Sequence, residues 1–166
     1  MKQGGGCGGY NKHMKTEREN KKDTKIVVAV SGGFDPVHAG HIRMFREAKK
    51  LGDELVVIVN NDNWLTKKKG KPFIHQDERK EIVEAIRYVD RVVLTSHIPG
   101  SDDRSVCREL EMLRPDIFAN GGDRTKDNIP EVALCERINC RMVFNVGDGG
   151  KIQSSSALLS SYFNQS

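Results

Sequence analysis

Apolar residues along the chain fall into two kinds of pattern. Five short runs, at 26–30, 55–59, 91–94, 116–119 and 141–145, are mostly β-branched or aromatic, with no polar alternation. Strands buried on both faces look like this. Between them, apolar positions recur near helical spacing: Ile42, Phe45, Ala48 and Leu51; then Ile82, Ile86 and Val89; then Val106, Leu110 and Leu113. Residues 130–138 and 155–163 complete a set of five helices. The Leu51-Gly52-Asp53 stop ends the first of these, which is expected to open at His41, and Arg114-Pro115 ends the third. Asn60-Asn61-Asp62-Asn63 and the lysine run behind it are expected to form a loop.

Strands without polar alternation, joined by helices, indicate an α/β chain with a parallel sheet covered on both faces. Right-handed crossovers then predict a single doubly wound, Rossmann-like domain of five parallel strands. Ligands in such sheets bind beyond the carboxyl ends of the strands. The loops at 32–41, 60–71, 97–103, 120–127 and 147–156 all fall on that edge. There is no internal repeat.

At 166 residues one domain is expected. Residues 1–25 are glycine-rich and then polar, and read as a disordered or appended basic tail; 26–166 form the domain. The net charge of +4 belongs to the tail, where seven basic and three acidic side chains fall among residues 1–25. The remaining 20 basic and 20 acidic groups cancel. A folded part without excess positive charge is not expected to bind nucleic acid. No run is long enough to cross a membrane and no apolar leader core opens the chain, so a cytoplasmic protein without a membrane partner is expected. Cys7, Cys107, Cys135 and Cys140 lack metal-ligand spacing and read as reduced thiols.

The chemistry concentrates at Ser31-Gly32-Gly33-Phe34-Asp35-Pro36-Val37-His38-Ala39-Gly40-His41. This follows the first strand and opens the first helix, whose unpaired N–H groups and positive dipole end suit a phosphate. It is neither a G-x-G-x-x-G fingerprint nor a G-x-x-x-x-G-K-[ST] loop. What it offers is two histidines at one helix mouth, able to face the same anion, with Gly40 admitting close approach. Ordinary capping histidines are the alternative. Lys67-Lys68-Lys69-Gly70-Lys71 adds positive charge at the same edge, against the alternative of a solvated loop. Glycines followed by Ser154-Ser155-Ser156 before the last helix suit phosphate binding or simple N-capping. His75 and His97 read as surface residues without partners.

The histidine stretch resembles the HxGH signature of the nucleotidyltransferase superfamily, within its cytidylyltransferase-like family. The likeness continues collinearly through residues 49–55, 59–62, Glu78-Arg79, 88–90 and Gly121-Gly122-Asp123. It is similar both to glycerol-3-phosphate cytidylyltransferases and to the adenylyltransferase domain of ADP-heptose synthases. The resemblance implies transfer of a nucleotidyl group from a nucleoside triphosphate to a small phosphomonoester, with release of pyrophosphate. It implies His38 and His41 as transition-state donors, with Lys69 or Lys71 assisting. It implies nucleotide contacts from Gly32, Gly33, Phe34, Asp35, Gly40, Asp123, Lys151, Ser154, Ser155 and Ser156. Lys67 and Arg79 become candidate substrate contacts, although an ion pair within the fold would also account for Arg79. Mg²⁺ held mainly by the triphosphate is expected, and relatives are often homodimers. CTP with a polyol or sugar phosphate is slightly favoured. An adenylyltransferase of the ADP-heptose or coenzyme-biosynthesis type is the alternative, as is a nucleotide-binding regulator without catalysis.

Overall fold

The computed structural model describes residues 24–122, 129–147 and 154–164. In chain order the elements are β1 (Val27–Gly32), α1 (Ala39–Lys49), β2 (Glu54–Val59), α2 (Asp62–Lys69), α3 (Gln76–Glu84), β3 (Arg91–Leu94), α4 (Cys107–Leu113), β4 (Ile117–Ala119), α5 (Val132–Arg137), β5 (Arg141–Val143) and α6 (Ser155–Phe163). All strand pairs are parallel, in the order β3-β2-β1-β4-β5. This is the five-stranded Rossmann-like α/β sheet that the alternation of patterns predicts.

Period-two alternation sends successive strand residues to opposite faces, and both faces are apolar. Val28 and Val30 of β1 join Leu55, Val57 and Val59 of β2 beneath Phe45 and Ala48 of α1 and Val83 of α3. Ala29, Ile58 and Phe118 face the other way, against Val106, Leu110, Leu134 and Cys135. Twelve strand and helix residues among these are fully buried, and each contributes about 1.5–3 kcal/mol if a large aliphatic or aromatic side chain. The chain moves outward from β1 through β2 to β3, then crosses back to β4 on the far side of β1. That reversal opens a crevice at the carboxyl ends of β1 and β4, the place where doubly wound sheets bind ligands.

Four details depart from the sequence reading. The first helix opens at Ala39 rather than His41, because His38 caps it. The stretch read as a loop contains α2, capped by Asn61, whose side chain accepts a hydrogen bond from the Trp64 N–H. Three of the lysines therefore occupy the last turn of a helix, where cations meet its negative dipole end. Gly70, at φ +89°, closes that helix. In α3 the buried apolar residue is Val83, whereas Ile82 is 41% exposed.

Candidate nucleotide site

β1 delivers the chain to the glycine turn, and Phe34 anchors it there. Phe34 takes φ +50° and buries its ring edge-on against His41 at 4.9 Å and Phe45 at 5.2 Å. Asp35 is buried, and its carboxylate accepts hydrogen bonds from the Phe73 and Ile74 N–H groups at 2.9 and 2.8 Å. Its side chain thus ties the turn to the segment that follows α2.

The histidines form a reciprocal cap. His38 Nδ1 accepts from the Gly40 N–H at 3.1 Å, and His41 Nδ1 accepts from the His38 N–H at 3.2 Å. The two rings stack with centroids 3.8 Å apart. An Nδ1 that accepts is unprotonated, so each neutral ring carries its proton on Nε2. Burial, the His38 ring and the Lys69 charge push His41 down to about 3. Burial also holds His38 below its ordinary value. Both are therefore neutral donors at pH 7. His38 Nε2 is buried with no protein acceptor among the described residues. An unsatisfied buried donor costs about 1–3 kcal/mol, which a phosphate oxygen would relieve.

Around this pair lies a cavity of about 430 Å³, a size suited to a small ligand. Its walls bring together Gly32, Gly33, Phe34, Gly40 and both histidines with Ser154, Ser155 and Ser156, from a segment more than a hundred residues away. Ser154 caps α6 by accepting from the Ala157 N–H, and the Ser155 hydroxyl donates to the Pro36 carbonyl at 2.8 Å. The second bond fixes the start of α6 beside the histidine turn. Gly121 and Gly147 pass so close to Met44 that a Cβ on either would lie 2.7 or 3.1 Å from Met44 atoms. Asp123 and Lys151 lie outside the described residues.

The structure separates the four lysines. Lys69 lines the cavity and reaches the Asp35 carbonyl at 3.3 Å. Lys68 also lines it, with Nζ 4.6 Å from the centre of the Trp64 ring. Lys67 instead pairs with Asp102 at 2.7 Å, and Lys71 is exposed; neither lines the cavity. Arg79 is not brought to the cavity either. Fully buried, it donates to the carbonyls of Gly33, Asn60 and Ile74 and pairs with Asp62 at 2.7 Å. These bonds clamp the ends of β1 and β2 to the starts of α2 and α3. The intramolecular ion pair, and not a substrate contact, is the geometry seen.

Several cavity residues escape the sequence reading: Arg43, Met44, Trp64 and Asn120. Arg43 and Met44 lie three and four residues after Gly40, a helical spacing that could have indicated them. His75 and His97 do have partners. His75 caps α3 and meets Asp62 at 3.1 Å, while His97 bonds Thr95 and the Ser105 carbonyl.

A doubly wound sheet with neutral imidazole donors, a lysine and glycine backbone around one crevice defines an α/β nucleotide-binding class. Within that class, the sequence profile of the Cytidylyltransferase-like family matches residues 29–146, and the chain belongs to this family. It is a nucleotidyltransferase. The chain is 44% identical over 106 residues to a protein named FAD synthase from Pyrococcus horikoshii, covering 63% of this chain and 68% of the relative. A second FAD synthase, from Archaeoglobus fulgidus, is 38% identical over 115 residues, covering 68% and 79%. Among solved structures, a lipopolysaccharide core biosynthesis protein from Thermoplasma volcanium matches with a TM-score of 0.60 at 30% identity, over 75% of this chain and 99% of its own. Pantoate-beta-alanine ligase from Francisella tularensis, at 15% identity and a TM-score of 0.54 over 86% of this chain and 68% of its own, shares the fold. No helix among the described residues is long and apolar enough to cross a membrane.

Proposed function

We propose that this enzyme transfers the adenylyl group of ATP to the phosphate of FMN, forming FAD and releasing pyrophosphate. The observation that carries this reading is the identity of 38–44% to FAD synthases over more than 100 residues. The adenine of FAD calls for ATP as the donor. The CTP and polyol phosphate favoured by the cytidylyltransferase likeness find no support in those relatives, and the coenzyme-type alternative does.

A phosphate oxygen of FMN attacks the α-phosphorus of ATP and forms the new P–O bond. The bond from that phosphorus to the αβ-bridging oxygen breaks, and its electron pair leaves with pyrophosphate. A phosphomonoester is already anionic, so the protein needs no strong base; it must align two anions and stabilise the charge shifting between them. His38 and His41 would donate from Nε2 to phosphate oxygens, more strongly as charge accumulates. Lys69 would neutralise a non-bridging oxygen. The N-terminus of α6 and its serines would receive the terminal phosphates. Mg²⁺ is the customary companion of a triphosphate. The described residues offer no group of three His, Cys, Asp or Glu side chains to cage it, so the phosphates would hold it and no protein step is assigned to it.

The test is pyrophosphate release with each of the four nucleoside triphosphates against FMN, glycerol 3-phosphate and a sugar 1-phosphate. ATP with FMN should be the productive pair. The sugar phosphate represents a second reading, favoured by the lipopolysaccharide core biosynthesis neighbour. Release with that acceptor, and none with FMN, would install it instead.

A further inference from the structure

Arg43 is the one arginine that lines the cavity among the described residues. It is half-buried and makes no hydrogen bond or ion pair with any described residue. Its neighbours are differently placed. Lys69 already reaches the Asp35 carbonyl, Lys68 sits over Trp64, and Arg79 is fully engaged inside the fold. With both histidines neutral, the positive charge on the described walls is that of Lys68, Lys69 and Arg43, and Arg43 is the one guanidinium among them.

Position along α1 gives Arg43 its direction. It lies one turn after Gly40, and helical side chains lean toward the N-terminus of their helix. Arg43 therefore leans over a residue with no side chain, toward the positive dipole end of α1, which favours an anion. Met44, the next residue, packs against Gly121 and Gly147, and Arg43 lines the same cavity as these two strand-end glycines. The chain from Gly147 goes on to Ser154 at the start of α6, on the same cavity. A guanidinium there is suited to two oxygens of one phosphate, or to one oxygen on each of two, in a way that a lysine is not.

We propose that Arg43 is a phosphate-binding residue that grips the β- and γ-phosphates of the donor and thereby holds the departing pyrophosphate. The proposal rests on the nucleotidyl-transfer reading of the cavity but not on the identity of the acceptor. Its energetic role is in binding the donor and in stabilising the charge that builds on the leaving group.

The experiment compares wild type with Arg43→Gln and Arg43→Lys, using inorganic pyrophosphate as the probe. Binding of pyrophosphate to the free enzyme is followed by calorimetry, and its inhibition of turnover is measured with whichever triphosphate and acceptor prove productive. Losing a charge-assisted hydrogen bond should weaken pyrophosphate binding about 10- to 100-fold in Arg43→Gln. KM for the triphosphate should rise in parallel, KM for the acceptor should stay put, and Arg43→Lys should recover part of the loss. Thermal unfolding should be unchanged, since Arg43 has no described partner to lose. Pyrophosphate binding as tight in Arg43→Gln as in wild type would overturn the proposal, as would a KM effect confined to the acceptor. Arg43-dependent binding of pyrophosphate without any FAD formation would sink the FMN reading and leave this one standing.

Discussion

His38 and His41 cap a helix and line a cavity at the same time, and the cap dictates their chemistry. Because each Nδ1 accepts a backbone N–H, protonating either ring would break a bond that holds the turn. This works in the same direction as burial, which pushes His41 from an ordinary 6.5 down to about 3. The sign of the resulting pH dependence follows. Between pH 6.5 and about 3 the unfolded chain binds a proton at His41 that the folded chain refuses, so stability is full above 6.5 and is lost as the pH falls. Chemical denaturation should show wild type losing up to about 1.4 kcal/mol per pH unit more than His41→Gln from pH 6.5 to 5. Parallel curves for the two proteins would mean that His41 titrates normally. For catalysis, His41→Ala should lower turnover by about 10²–10³ while the protein remains folded by circular dichroism. Turnover within a few-fold of wild type would remove His41 from the mechanism. The donor pair was legible in the sequence from its place between strand and helix. The neutral state was not, because it depends on ring contacts and burial that only the folded turn creates.

At the level of elements, α2 carries the argument. Its sequence has only Trp64 and Leu65 to bury and opens with Asp62 and Asn63 behind Asn60 and Asn61, so no helical period stands out. In the fold Asn61 becomes an N-cap, Asp62 receives Arg79, and Lys68 and Lys69 are carried to the cavity side by side. A run of like charges cannot reveal which member faces inward; the helical turn decides, directing Lys68 and Lys69 to the cavity and Lys67 to Asp102. Arg79 holds this arrangement. Arg79→Met should destabilise the protein by about 3–5 kcal/mol, since it strands the Asp62 carboxylate and three carbonyls that now share one guanidinium. Thermal and denaturant unfolding measure this directly, and a loss under about 1 kcal/mol would show that water or Gln76 replaces the clamp. The sequence left Arg79 open between substrate contact and ion pair because both uses place an arginine at the start of this helix.

For the whole molecule, five apolar runs separated by helical periods were enough to give the parallel sheet and its functional edge. Patterning cannot supply the strand order, which depends on where the chain reverses, nor the meeting of Ser154–Ser156 with the histidine turn across more than a hundred residues. Acceptor identity was the least legible feature, since the turn residues suit a phosphate, and every candidate donor and acceptor carries one. The excess of basic residues lies in 1–25 and the rest is neutral, whereas the cations that line the cavity, Arg43, Lys68 and Lys69, belong to the remainder. Removing residues 1–23 should leave kcat and both KM values unchanged, and a marked rise in either KM would assign the segment a part in substrate binding. The identity of the two substrates is tested most directly by supplying ATP and CTP together with equal FMN and glycerol 3-phosphate and resolving the products by chromatography. FAD should be the dominant nucleotide product, appearing in step with pyrophosphate. A cytidine diphosphate-linked glycerol product in place of FAD would contradict it.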